Sequence, residues 1–346
     1  MTARGILILG ILTLVALTMA LILGRTGPEP EPVESQPLVP GLRDAVNDIS
    51  AVDLISADGV PVASLRRDRE RWRVVEKDDY EADFGLVHDL LRDLASGQRL
   101  EARTSNPDWY QRLGVADVGS GATSGLLLRF PDSDLPGLLV GNLDSTETGR
   151  FVRLEGDERT WLSDRRLDLP DSALQWLERA VMDIPAAELR EVTLRHPDGD
   201  TVQIRAASDD GEDWVLMNVP DGREAVAMWQ LRPVANALGN LNLDGVRRHG
   251  HPSDDAVRAL YVTRDGLNFV VSLFEDEEGR WAHFTVSAEV AAADGPGVEG
   301  ESEVPGVVTD AIAVDARLSP WQFRISERKF ENMTKRLEDL LKPEEA

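Results

Sequence analysis

The apolar positions of this chain follow two periods, and these alternate in the same order twice. Val52 and Leu54 alternate with polar neighbours as in a half-buried strand. Asp58-Gly59 marks a turn, Val60 and Val62 resume the alternation, and Arg71–Glu76 (RWRVVE) reads as a third strand. The succession recurs as Val192 and Leu194, the turn Asp198-Gly199, Val202 and Ile204, then Asp213–Asn218 (DWVLMN). Each third strand carries one tryptophan, Trp72 or Trp214. A helix is predicted after each set, because Phe84, Val87, Leu90, Leu91 and Leu94 recur as Met228, Leu231, Val234, Ala235 and Leu238. That three-and-four spacing lines one helix face. Asp83 is placed to cap the first helix, Gly97 and Gly239 to end the two runs, and Pro233 to kink or split the second.

Short strands then resume in both halves. In the first they are Leu126, Leu128 and Phe130, Leu138 and Val140, Gly149–Gly156 (GRFVRLEG), and Thr160–Leu162. In the second they are Leu260 and Val262, Phe269, Val271 and Leu273, Gly279–Val286 (GRWAHFTV), and Ile312–Val314. Strands in succession with one intervening helix argue for an α+β fold with largely antiparallel pairing, without the regular alternation of a parallel doubly wound sheet. The expected organisation is two tandem similar domains, 44–182 and 183–346, each a mainly antiparallel sheet with a packed helix. The run 288–309 is poor in large apolar groups and predicts a flexible loop. WQFRIS follows, and then a helix from about Ser326 to Leu341 with Phe330, Met333, Leu337, Leu340 and Leu341 on its buried face.

The N-terminus has neither period. Ile6–Leu23 is uncharged, with nothing more polar than Thr13 and Thr18, and as a helix would span roughly 27 Å, close to a bilayer's hydrocarbon thickness. A transmembrane helix over 6–24 is therefore expected, with residues 1–5 cytoplasmic. Arg4 precedes the run, and Arg25 is soon diluted by glutamates, so the positive-inside rule orients the N-terminus inward and the bulk of the chain outside the cytoplasm. A cleaved signal peptide is the alternative, but the run exceeds the usual h-region and lacks an A-x-A site. Prolines 28, 30, 32, 37 and 40 alternate with glutamates, which predicts an extended spacer over 25–43.

Composition narrows the functional classes. A formal net charge of −25 gives no long-range attraction to nucleic acid, so no nucleic-acid partner is expected. Absence of cysteine removes thiol catalysis, cysteine-ligated zinc and a lipoprotein anchor. No nucleophile elbow, Walker loop or H-E-x-x-H helix is present, and no cofactor is expected.

Among the five histidines, His88 is expected half-exposed on the first helix, His196 precedes a Pro-Asp-Gly turn, and His283 reads as a surface strand residue. His249 and His251, with Asp254 and Asp255 nearby, could offer nitrogen and oxygen ligands to a divalent metal. Pro252 and Ser253 read as turn and cap residues, and the matching loop of the first half, ARTSNPDWYQ, has no histidine, so an ordinary polar loop is the preferred reading. The acidic runs 78–81 and 209–213 could attract calcium but lie where turns and caps are expected. No catalytic or metal residue is therefore assigned.

RWRVVEKDDYEADFGLVHDLLRDLASGQ, YQRLGVAD and VGNLDSTETGRFVRLEGDERTWLSD together resemble the bacterial proteins with domain of unknown function 4340, over about Val46 to Ala180 and more loosely beyond. Pro233, the 288–309 run and weak motif agreement in the second half depart from that pattern. The resemblance implies a single-pass envelope protein of undefined activity, frequently associated with ABC-type transport systems of the gliding-motility-auxiliary kind. The expectation is an inner-membrane scaffold or accessory subunit, with its body periplasmic, that contacts transporter subunits. A binding module for a glycan, peptide or small molecule in a groove between the domains is the second expectation, and a hydrolase with an unfamiliar site the third.

Overall fold

Strands carry this fold, and the computed structural model describes residues 35–121, 125–250, 255–289 and 306–343. In the first half of the chain the strands are β1 (Gln36–Pro37), β2 (Ala51–Ser56), β3 (Pro61–Asp68), β4 (Arg71–Val74), β5 (Tyr80–Glu81), β6 (Gln98–Ala102), β7 (Leu126–Arg129), β8 (Leu138–Leu143), β9 (Arg150–Leu154) and β10 (Thr160–Ser163). In the second half they are β11 (Ala180–Met182), β12 (Leu189–Arg195), β13 (Thr201–Ala206), β14 (Trp214–Leu216), β15 (Leu241–Arg248), β16 (Val257–Thr263), β17 (Leu267–Asp276), β18 (Gly279–Ala288) and β19 (Trp321–Ile325). The α-helices are α1 (Leu42–Ala45), α2 (Phe84–Ser96), α3 (Tyr110–Leu113), α4 (Arg232–Ala235), α5 (Gly306–Leu318) and α6 (Glu327–Met333). Two antiparallel sheets with few helices make this an α+β or mainly β fold.

Of the described residues, 35–61 and 90–169 form one unit, and 62–89 and 170–343 the other. In the first, seven strands lie in the order β1-β6-β10-β9-β8-β7-β2. The second repeats that order strand for strand as β11-β15-β19-β18-β17-β16-β12, and continues into β13 and β14. The expected division at 182/183 assigns 62–89 to the first domain, whereas the balance of its contacts groups it with 170–343. The Tyr80 ring meets Trp321 edge-on at 5.0 Å and Phe323 at 6.1 Å. The Asp83 amide donates to the Trp176 carbonyl at 2.8 Å, and Ala82 bridges Leu177.

Periodicity explains the local structure. In β2 the fully buried Val52 and Leu54 share one face, and Gly59, at φ 90°, closes the following turn by donating to the Ser56 carbonyl. Asp83 caps α2 as expected, accepting from the Leu86 amide at 3.0 Å. Of the two helical stripes, the later positions are buried, but Phe84 is 62 % and Met228 41 % exposed. Pro233 breaks the second stripe into α4 flanked by two short 3-10 turns, since it lacks the amide a continuous helix needs.

The first unit packs one cluster around Tyr110, Val115, Ala116, Leu127 and Leu139. Buried among these is a charge, Arg153 of β9. Its Nε donates to the Val115 carbonyl and its Nη1 to the Asp157 carbonyl, each at 2.8 Å. Nη2 pairs with Asp117, and the guanidinium lies 4.6 Å over the Tyr110 ring. YQRLGVAD therefore folds around an arginine of GRFVRLEG. A Cβ on Gly141 would stand 2.2 Å from the Leu113 carbonyl oxygen, so β8 passes α3 with room for glycine alone.

Four expectations need correction. Ile312–Val314 is helical, inside α5. Val307, Ala311, Val314 and Leu318 recur at helical spacing, Ala311 and Leu318 are buried, and Ile312 is exposed. Residues 306–309 of the predicted loop belong to the same helix, while 290–305 lie outside the described residues. The C-terminal helix stops at Met333. Beyond it the Leu337 amide donates to Asp200 and Arg336 pairs with Asp198, which ties the stretch to the β12–β13 turn, and a short 3-10 turn over Glu338–Leu340 follows. The expected spacer is folded at its end. Pro37 pairs with Gln98, and Leu38, Val39 and Leu42 are buried. The run Ile6–Leu23 lies outside the described residues, among which no helix is long and apolar enough to cross a membrane.

Candidate functional site

The polar chemistry of the second unit gathers where β15, β18 and β19 run side by side. His283 of β18 stands opposite Gln322 of β19. Past the end of β15, the His249 amide donates to the Pro320 carbonyl at 2.8 Å. Its ring stacks on His283 with centroids 3.7 Å apart and planes 12° from parallel. His283 Nε2 lies 2.9 Å from the Ser319 carbonyl oxygen, so that nitrogen carries the proton and donates. Gln322 ties the pair to a cation by accepting from Arg247 Nε at 2.8 Å while its Nε2 faces His249 Nδ1 at 3.4 Å.

Arg247 lies 3.8 Å over the Trp281 ring and reaches Asp276 at 2.7 Å and Glu278 at 2.9 Å. Burial pushes the Asp276 carboxyl up, but hydrogen bonds from Arg247, the Glu278 amide and the Trp281 indole outweigh it and hold the group below the usual carboxylate range. These hydrogen bonds join β15, β18 and β19.

Of the four metal candidates, His249 and Asp255 are described, whereas His251 and Asp254 lie outside the described residues. Among the described residues no group of three or more histidine, aspartate or glutamate side chains could hold a metal ion. His283, expected at the surface, is 8 % exposed. Its alternation with Trp281 put both on one strand face, where the His249 ring stacks over His283. The signal in the sequence was Arg247 and His249, two positions apart at the end of a strand the apolar pattern did not reveal. His196 is equally buried, with Nε2 3.2 Å from the Lys335 carbonyl, and His88 is exposed beside Phe84.

Both acidic runs are turns. Asp78 and Asp79 take left-handed backbone between β4 and β5, Asp209 pairs with Arg264, and Asp210 accepts from the Glu212 amide.

A concave space of about 530 Å3 opens elsewhere in the second unit. Ile184, Leu267, Phe269 and Val314 give it apolar walls, and Arg264 and Arg317 border it. Both arginines are fixed by backbone carbonyls: Arg264 Nε donates to Ala187 and Arg317 Nη2 to Val181, each at 2.9 Å. The space has the size and mixed lining of a small-molecule pocket.

A family model described as Domain of unknown function (DUF4340) matches residues 72–260, more than half of the chain. No curated protein matches, and no solved structure does. The matched span begins at Trp72 and ends within β16, so it takes in YQRLGVAD, Arg153 and strands β11 to β15 of the second half.

Proposed function

Because the chain belongs to the family Domain of unknown function (DUF4340), we propose that it is a membrane-anchored extracytoplasmic scaffold or accessory subunit, serving an ABC-type transport system. The observation that carries this reading is the uncharged run Ile6–Leu23, joined through a short Pro/Glu-rich stretch to a sheet that begins at Gln36. An anchored N-terminus with two β units beyond it suits presentation of surfaces to a partner. The strong negative charge of the chain favours a neutral or basic partner over anionic lipid headgroups.

The test has two arms. A periplasm-dependent reporter fused after Ala346 should be active, and the chain should stay with membranes after an alkaline wash. In-cell crosslinking followed by solubilisation should then recover a transporter subunit. A cytoplasmic reporter refutes the topology, and recovery of the chain alone refutes the partnership.

The space of about 530 Å3 favours a second reading, a binding module for a small ligand within the second unit. Here a bound ligand would raise the unfolding temperature, and Val314→Trp, which fills the space, would abolish that shift. An unchanged shift in the Trp variant refutes it.

A further inference from the structure

A second concavity, of about 360 Å3, has a different lining. Arg232 of α4 and Arg328 and Lys329 of α6 border it, together with Trp229, Asn236 and Asn332. No described residue lining it is acidic, on a chain with 62 carboxylates against 37 lysines and arginines. Three cations converging in one concavity of so acidic a protein need a reason.

The cations differ in what else they do. Lys329 is structural, because its ammonium donates to the carbonyls of Asn236 and Gly239 and holds the end of the 236–238 turn. Burial, followed by the charge of Arg328, pushes its pKa down, and Asp183 offsets part of this. Arg232 shares its charge with Glu212. Arg328 is exposed and has no ion pair among the described residues, although a guanidinium there raises the cost of the neighbouring ammonium. Trp229 is 70 % exposed, the most exposed large apolar side chain among the described residues. Burying such an indole is ordinarily favourable, so its position at the lip of a cationic cavity is a second feature that a bound ring would satisfy.

We propose that this cavity binds an acidic sugar, with the carboxylate of a uronic acid on Arg328 and Arg232 and the sugar ring against Trp229. Arginine pairs with planar carboxylates through two parallel hydrogen bonds. The apolar face of a pyranose covers an indole, and the lining amides of Asn332 and of Asn236, whose Oδ1 already accepts from the Ala186 amide at 3.2 Å, offer hydrogen-bonding groups to ring hydroxyls. A bare tetrahedral anion would use the cations and leave the indole exposed. The volume lies at the lower end of ligand pockets and suits a short segment of chain. This proposal is independent of the transport reading and concerns the second unit alone.

Calorimetry on the full chain, in a detergent without a sugar headgroup, tests it with trigalacturonate, neutral maltotriose and inorganic phosphate as probes. Trigalacturonate should bind and maltotriose should not. Arg328→Ala should weaken trigalacturonate roughly ten-fold or more, and Arg328→Glu should abolish binding, with unchanged circular dichroism because the side chain is exposed. Trp229→Ala should weaken the sugar several-fold while leaving any weak phosphate binding unchanged. The proposal is overturned by any of four results: no trigalacturonate binding, equal binding of maltotriose, phosphate competing as tightly as trigalacturonate, or indifference to Arg328→Glu.

Discussion

Replacing Arg153 with alanine should destabilise the first unit by about 3–5 kcal/mol, and the reasons can be separated. The ion pair to Asp117 contributes little, because that carboxylate is 70 % exposed and such pairs are worth about 1 kcal/mol or less. The larger effect comes from the two backbone carbonyls, of Val115 and Asp157, each held at 2.8 Å by a charged donor. Bonds of that kind contribute about 1.5–3 kcal/mol each, and the lower end applies here because the Asp117 side lies open to water that can rehydrate an orphaned oxygen. Contact with the Tyr110 face adds about 1 kcal/mol. Urea unfolding of the full chain, followed by tryptophan fluorescence, reads the effect as an earlier first transition. Two units make a single two-state fit inappropriate. Arg153→Lys should fall between, since an ammonium cannot supply the fork, and Asp117→Asn should cost under about 1 kcal/mol. If Asp117→Asn cost as much as Arg153→Ala, or if Arg153→Ala shifted the transition by less than about 1 kcal/mol, the carbonyl-clamp reasoning would fail.

Gly141→Ala should lower the stability of the same unit by about 1–3 kcal/mol, because its methyl would collide with the Leu113 carbonyl oxygen, and denaturant unfolding of the variant beside the unchanged chain checks it. Burial raises the Tyr80 and Tyr261 phenols above the ordinary tyrosine range. Their contribution is complete below the unfolded value near 10 and is lost as pH rises toward the folded values, so an alkaline titration should show their phenolate absorbance appearing together with unfolding. Phenolate from both before any loss of structure would contradict that.

Much of this fold was legible because its strands bury one face. Val52 and Leu54, or Phe269, Val271 and Leu273, announce themselves by alternation, and the twofold recurrence of their order anticipated the matching strand orders of the units. β6 and β15 were not legible. Their sequences, QRLEA and LNLDGVRR, mix polar and apolar residues without a sustained period, and tertiary pairing decides them. Ile312–Val314 shows the opposite failure, where three residues suit a strand and only the longer window from Val307 to Leu318 reveals the helix. The cationic cavity was invisible because Trp229 and Arg328 are 99 positions apart in the numbering and no local pattern relates them. Arg153 was equally hidden, although both segments it ties had been singled out as motifs.

The passage of residues 62–89 into the second unit governs how this chain can be taken apart. Scissors placed at one point will not free either unit, because the chain changes unit at 61/62, 89/90 and 169/170, the second of these inside α2. A truncation starting at residue 183 would discard Tyr80 and leave Trp321 and Phe323 with an empty seat. Such a fragment should aggregate for that reason alone, and its failure would say nothing about whether the second unit has a job of its own.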